Sequence, residues 1–234
     1  MDDFSRIKLN EDTFRNEVKY KFYTKSLSSW MIKIKNSEIN FKTHHEERWV
    51  NNIYFDSLSL DLFKQSHEGS SPRTKIRLRW YGDFFQSDNK CNLELKIKFA
   101  NKNNKIIFPI LNISILKNTF INSINSKLLQ CGVLPNEILN LFYSIKPTLI
   151  NRYKRNYFVQ KNSDTRLTLD SCLGFKNLLN RSKLSLPFCE NKNLTIIELK
   201  FNKKNNLNKE IMNKINSHLT VSQFSKYTYG IQTS

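Results

Sequence analysis

Polar and apolar residues alternate over several runs of this chain. "RNEVKYKFY" at 15–23 is the first such run, and a period of two marks a strand with one face in a core. The same pattern predicts strands over 50–57, 73–82, 91–100, 104–109, 148–159, 164–170 and 193–202. The polar stretch 82–90 joins two of these as a hairpin. Helical spacing takes over at 26–36, 57–69 and 207–219, and again across 112–146, where Pro135 divides an apolar run into two helices. This is an α+β pattern dominated by antiparallel strands, with helices inserted between them.

The polar faces of these strands are unusual. Side chains alternate faces along a strand, so Glu17, Lys19 and Lys21 share one face opposite Val18, Tyr20 and Phe22. Arg73, Lys75, Arg77 and Arg79 lie opposite Ile76, Leu78 and Trp80. Glu94, Lys96 and Lys98 oppose Leu93, Leu95, Ile97 and Phe99, and Glu198 and Lys200 oppose Ile197, Leu199 and Phe201. A solvated face normally mixes signs with Ser, Thr and Gln. These faces are largely Arg and Lys, with one Glu leading most strands. Like charges directly opposed cost roughly 0.2–1 kcal/mol per pair, a cost that a bound anion relieves.

The bulk numbers agree with an anionic partner. The 234 residues suit one domain over 1–234, and 39% apolar content with 17 Phe excludes a disordered chain. With 38 basic residues against 20 acidic ones, the net charge is +18, which argues for nucleic acid, an anionic membrane surface or a polyphosphate-type molecule. Cys91, Cys131, Cys172 and Cys189 form no CxxC, so free thiols in a reducing, cytoplasmic setting are expected. The N-terminus has no signal-peptide pattern, and no run reaches the ~20 apolar residues of a membrane span. "HHEE" at 44–47 reads as a polar loop rather than a metal site. Asp56 caps the helix after it or pairs with an arginine, and Asp170 orients Arg166 or another arginine.

If the helices cover the apolar faces, the charges turn inward and the sheet curls into a barrel with a basic lumen. A barrel of this size is normally filled by its own side chains. One filled by Lys and Arg needs a ligand of opposite sign. Glu among the cations suits a hard divalent ion, which takes carboxylate and phosphate oxygens.

"RNEVKYKF", "NIYFDSLSLDLF", "KIRLRWYG", "LELKIK", "YKRNYF", "RLTLD", "IIELKF" and "FSKYTYG" follow one another from about residue 15 to 230. In that order they resemble the triphosphate tunnel metalloenzymes, and within them the vacuolar transporter chaperone (VTC) domain of the polyphosphate polymerases. The resemblance implies an antiparallel β-barrel tunnel of about eight strands, with a charged lumen and surrounding helices. It implies ATP-dependent polyphosphate synthesis with Mn²⁺ or Mg²⁺. Lys19, Arg77, Arg79, Lys96, Arg155, Arg166 and Lys226 would be catalytic phosphate ligands. Lys21, Lys98, Lys105, Lys200 and Tyr227 would be substrate-binding wall residues. Glu198 would hold the metal, with Glu17 and Glu94 as supports. The hydrolytic branch opens on Glu-x-Glu-x-Lys. This chain has Arg15 in place of the first Glu, which favours polymerase over hydrolase. Membrane attachment would come through a partner protein.

Three other activities remain open. The same tunnel could hydrolyse tripolyphosphate or nucleoside triphosphates, or it could bind polyphosphate without turnover. Nucleic-acid binding wants bases and aromatics interleaved on one face, whereas here they fall on opposite faces of the strands.

Overall fold

The computed structural model describes residues 15–37, 40–99, 102–161, 165–179, 181, 183–187, 189–202 and 219–234. Its strands are β1 (Arg15–Tyr23), β2 (Phe41–Asp56), β3 (Arg73–Tyr81), β4 (Gln86–Phe99), β5 (Lys102–Ile115), β6 (Lys146–Gln160), β7 (Arg166–Asn177), β8 (Cys189–Asn191) and β9 (Leu194–Asn202). Its helices are α1 (Leu27–Lys35), α2 (Asp61–Glu68), α3 (Asn122–Leu129), α4 (Asn136–Phe142) and α5 (Lys226–Thr233). The helix expected at 207–219 lies outside the described residues, apart from its last position.

All the strands join one sheet in the order β1-β9-β7-β6-β2-β3-β4-β5, with β8 added on β7, and every ladder is antiparallel. The two ends of this order, β1 and β5, share no ladder among the described residues. The expected closed barrel is therefore a strongly curled sheet with an open seam. Its curl is still tight. An ion pair runs from Glu17 on β1 to Lys96 on β4, at 3.3 Å, although five strands separate β1 from β4 in the order. Side chains, rather than backbone hydrogen bonds, bridge the seam.

On the convex side, α3 and α4 cover the strands around β3 and β4. Ile124, Leu128, Ile138 and Phe142 pack there with Ile76, Leu78, Trp80, Leu93 and Leu95. Below β1, β9 and β7, α1 packs Ile34 and Trp30 against Tyr20, Leu167, Leu169 and Leu199. Both are the apolar faces read from the alternation.

A third apolar cluster was not foreseen. Tyr54, Leu149, Tyr153, Leu173, Phe175, Leu194 and Ile196 gather around Phe224 and Tyr227, and they share the strand faces that carry the charges. One end of the concave face is thus greasy, and α5 stoppers it. Ser225 caps α5, its Oγ accepting from Thr228 N. Gly230 is buried where a Cβ would meet Phe175 Cδ1 at 2.5 Å and Leu149 Cδ2 at 2.6 Å, so glycine lets the helix seat this closely.

Two segments differ from the periodicity. β5 continues to Ile115 where helical spacing was expected from 112, because Ile113 and Ile115 pair with Asn89 and Gln86 of β4 and bury their side chains. Cross-strand pairing outweighs local preference there. β2 begins at Phe41, so "HHEE" is an exposed strand paired with β6, not a loop. Pro135 does precede α4. No helix among the described residues is long and apolar enough to cross a membrane.

Candidate active site in the concave face

The concave face encloses a cavity of about 510 Å³. Nine basic side chains line it, Lys19, Lys75, Arg77, Arg79, Lys96, Lys105, Arg155, Lys200 and Lys226, against the carboxylates of Glu17 and Glu198. So dense a set of cations holds its shape through carboxylates placed beside or behind it, at three nodes.

Glu94 makes the first node. It pairs with Arg77 in the β3–β4 register and is almost fully buried. Its Oε2 accepts from Arg77 Nε at 2.8 Å and Nη2 at 2.6 Å, and its Oε1 from Lys105 Nζ at 2.7 Å. Arg79 Nη1 stands 3.6 Å from Oε1. Desolvation pushes this carboxyl up, but Arg77, Arg79 and Lys105 outweigh it and hold Glu94 far below the usual range. Arg79 is held further by Asn52, whose Oδ1 accepts from Nε at 2.9 Å.

Asp170 makes the second. Its two oxygens accept from Arg155 Nε at 2.6 Å and Nη2 at 2.7 Å, the bidentate fork that fixes a guanidinium plane. Lys226, the first residue of α5, reaches the same carboxylate at 2.6 Å. Asp170 thus orients Arg155, not Arg166, and ties α5 to the cavity. Burial raises its pKa, and Arg155 and then Lys226 more than reverse that.

The third node lies on β1 and β9, where Glu17 faces Lys200 and Lys19 faces Glu198 in register. Lys19 Nζ lies 2.6 Å from Glu17, and Lys200 Nζ 2.7 Å from Glu198. Desolvation and the charge of Glu198 raise the pKa of Glu17, but Lys19, Lys96 and Lys200 bring it down to about 2. Glu198 is likewise held well below the usual range: Lys200, Lys19 and Arg155 overcome its burial. Both carboxylates are ionised, and they repel one another. That pair of hard oxygen donors fits a divalent cation. Glu94 is less suited, because two bonds from Arg77 and one from Lys105 hold it, whereas Glu17 and Glu198 are held by single lysine contacts that a cation could replace. Among the described residues no group of three or more His, Cys, Asp or Glu side chains stands ready to hold a metal.

Several expected site residues stand elsewhere. Arg166 is exposed on β7 beyond the cavity wall, and Lys98 lies outside the lining. Lys21 sits over the rings of Tyr229 and Phe224, at 5.0 and 5.8 Å, holding α5 rather than facing the cavity. Tyr227 is buried, stacks on Tyr54 at 4.9 Å and donates to Asp56. Asp56 also caps the start of α2 through Leu62 N and Phe63 N, at 2.9 and 2.8 Å, and among the described residues no arginine pairs with it.

Other residues join the cavity that were not singled out. Lys75 donates to Ser225 Oγ at 2.9 Å; desolvation, then Lys19, Lys96, Arg73 and Arg77, bring its pKa down to about 7. It shares the period-two face of Arg77 and Arg79, the signal that could have found it. Tyr153, two residues before Arg155, shares its face by the same rule, and its ring lies 5.2 Å from the Arg155 guanidinium and 4.7 Å from Lys226 Nζ; Tyr54 carries no such signal.

The family model of the VTC domain matches residues 7–234. This chain belongs to the VTC domain family. Solved structures share the fold of this VTC domain at low sequence identity. A candidate adenylate cyclase from Vibrio parahaemolyticus superposes with a TM-score of 0.51 at 14% identity, covering 93% of this chain and 98% of that one. A candidate adenylyl cyclase from Hippeastrum, described as having a dominant triphosphatase activity, gives a TM-score of 0.51 at 14% identity over 93% of this chain and 96% of that one. No curated protein matches the sequence.

Proposed function

We propose that this VTC domain is a metal-dependent polyphosphate polymerase, which transfers the γ-phosphate of ATP to a growing chain of inorganic polyphosphate in the cavity. The observation that carries this reading is the cavity wall itself: nine cations surround about 510 Å³, with their guanidinium groups pre-oriented by Glu94 and Asp170. Phosphoryl transfer asks little covalent chemistry of a protein and much positioning and charge neutralisation.

Arg77, Arg79 and Arg155 present planar donors to phosphate oxygens while buried carboxylates fix their other edges. Lys19, Lys96 and Lys226 offset the repulsion between the incoming chain and the triphosphate. The attacking group is the terminal oxyanion of the chain, so no general base is needed. It forms a P–O bond to the γ-phosphorus as the bond to the ADP oxygen breaks, and ADP leaves with that electron pair. Glu198 and Glu17 would hold Mn²⁺ or Mg²⁺, which supplies charge neutralisation at phosphate oxygens.

A second reading is hydrolysis of a triphosphate in the same cavity. The triphosphatase activity ascribed to the Hippeastrum protein favours it, and Arg15 at the place of the hydrolases' first Glu stands against it. Incubation with ATP and Mn²⁺ separates the two. Long polymer on a gel supports the polymerase, and ADP with orthophosphate alone supports the hydrolase. Glu198→Ala and Arg79→Ala should each lower the rate by about 10²–10³, the usual loss for one preorganised electrostatic partner. Variants with full activity would overturn the site.

A further inference from the structure

Every basic residue described above at a node has an anionic partner inside the protein. At the open end, opposite α5, the arrangement changes. Arg48 of β2 pairs with Arg155 of β6 across the ladder, but it lies outside the cavity lining and is exposed. Among the described residues it has no carboxylate partner. Aromatic rings hold it instead. Its guanidinium carbon sits 4.0 Å from the centre of the Tyr81 ring and 4.9 Å from that of Tyr157. Its Nε donates to Tyr157 Oη at 3.0 Å. Stacking and that hydrogen bond fix the guanidinium plane and use one edge, leaving the Nη1–Nη2 edge for an oxyanion.

Tyr157 also connects this arginine to the interior. The Arg155 guanidinium lies 6.0 Å from the same ring, so one tyrosine neighbours both an interior arginine and the arginine at the mouth. His45 packs edge-on to Tyr157 at 5.6 Å. Its pKa is lowered, by desolvation and then by His44, Arg48 and Arg166.

We infer that Arg48, clamped between Tyr81 and Tyr157, is a further polyphosphate-binding residue, which grips the part of a linear phosphate chain that extends beyond the cavity. This rests on the reading of the cavity as a phosphate-chain site. A chain short enough to lie within the nodes does not reach Arg48, and a long one does. The mouth thereby favours long chains over short ones, and in synthesis it retains the product between additions.

The test is calorimetric binding of tripolyphosphate, long-chain polyphosphate, ATP and single-stranded DNA to the wild type, Arg48→Gln and Arg48→Lys, with thermal melts to check folding. The wild type should bind the long chain more tightly. Arg48→Gln should weaken the long chain by about tenfold and tripolyphosphate by less than twofold. Arg48→Lys, which keeps the charge but loses the planar fork, should recover part of the loss. Equal weakening of both ligands, or of neither, overturns the inference, as does a loss confined to ATP, which would assign the aromatic mouth to the base. A loss confined to single-stranded DNA overturns it in favour of nucleic acid. A wild type that binds neither phosphate overturns the cavity reading together with the inference. One that binds both equally overturns the mouth alone.

Discussion

Glu94 shows how one side chain organises the site. Its carboxylate is nearly inaccessible and touches Arg77, Arg79 and Lys105. Removing one partner of a buried charge network strands the rest, at about 3–5 kcal/mol. Glu94→Ala should therefore lower unfolding stability by that amount in a denaturant titration, whatever it does to activity. Lys75 carries the opposite balance. A lysine whose folded pKa is pushed down to about 7 binds fewer protons folded than unfolded, so it costs stability below its ordinary value of 10.5, and the cost grows as pH falls towards 7. Lys75→Met should raise stability at pH 7, most visibly at the acid end of that window. It should weaken anion binding by about tenfold, the scale of one hydrogen bond to a charged group at ~1.5 kcal/mol or more. An unchanged melting curve would show that the lysine is not destabilising.

Among the elements, α5 decides the most. It closes the apolar end of the concave face, and Ser225 and Lys226 at its start reach Lys75 and Asp170. Gly230 sets how deeply it sits. Gly230→Ala would force Phe175 and Leu149 aside and should cost about 1–3 kcal/mol, as overpacking a filled core does. It should also reduce activity, because the shift is passed to Lys226 and to Asp170 behind Arg155. Full activity with reduced stability would show that α5 is only a stopper. α2 is tied into the same end by Asp56, which caps it and accepts from Tyr227.

For the molecule as a whole, the depressed carboxylates predict acid sensitivity. Glu17 is held at about 2, against an ordinary value of 4.5, and Asp170, Glu94 and Glu198 are also lowered. A carboxylate whose folded pKa is depressed stabilises the fold above its unfolded value, and that contribution is lost as pH falls through the folded one. Stability should fall between about pH 4.5 and 2, and Glu17→Gln should flatten part of that slope. The net charge of +18 adds a salt effect. Polyanion association should slow as ionic strength rises, since screening at 0.15 M acts beyond about 8 Å.

Much of this was legible in the chain. Alternation placed Lys19, Arg77, Arg79, Lys96, Glu198 and Lys200 on one face each, because side-chain direction in a strand follows from backbone geometry alone. The family resemblance extended that to Arg155 and Lys226. Curl and register were beyond the same reasoning. They alone decide that Glu94 is spent on three cations, that Asp170 takes Arg155 and leaves Arg166 at the mouth, and that Glu17 of β1 and Lys96 of β4 bridge the open seam. They also turn Tyr54, Tyr153 and Ile196 into an apolar end for α5 on a face that strand by strand reads as charged. By itself the sequence determined which side chains share a face, since that is a property of neighbouring residues. Only the tertiary structure decided which carboxylate neutralises which cation, because those partners lie on strands whose contact depends on the bending of the whole sheet.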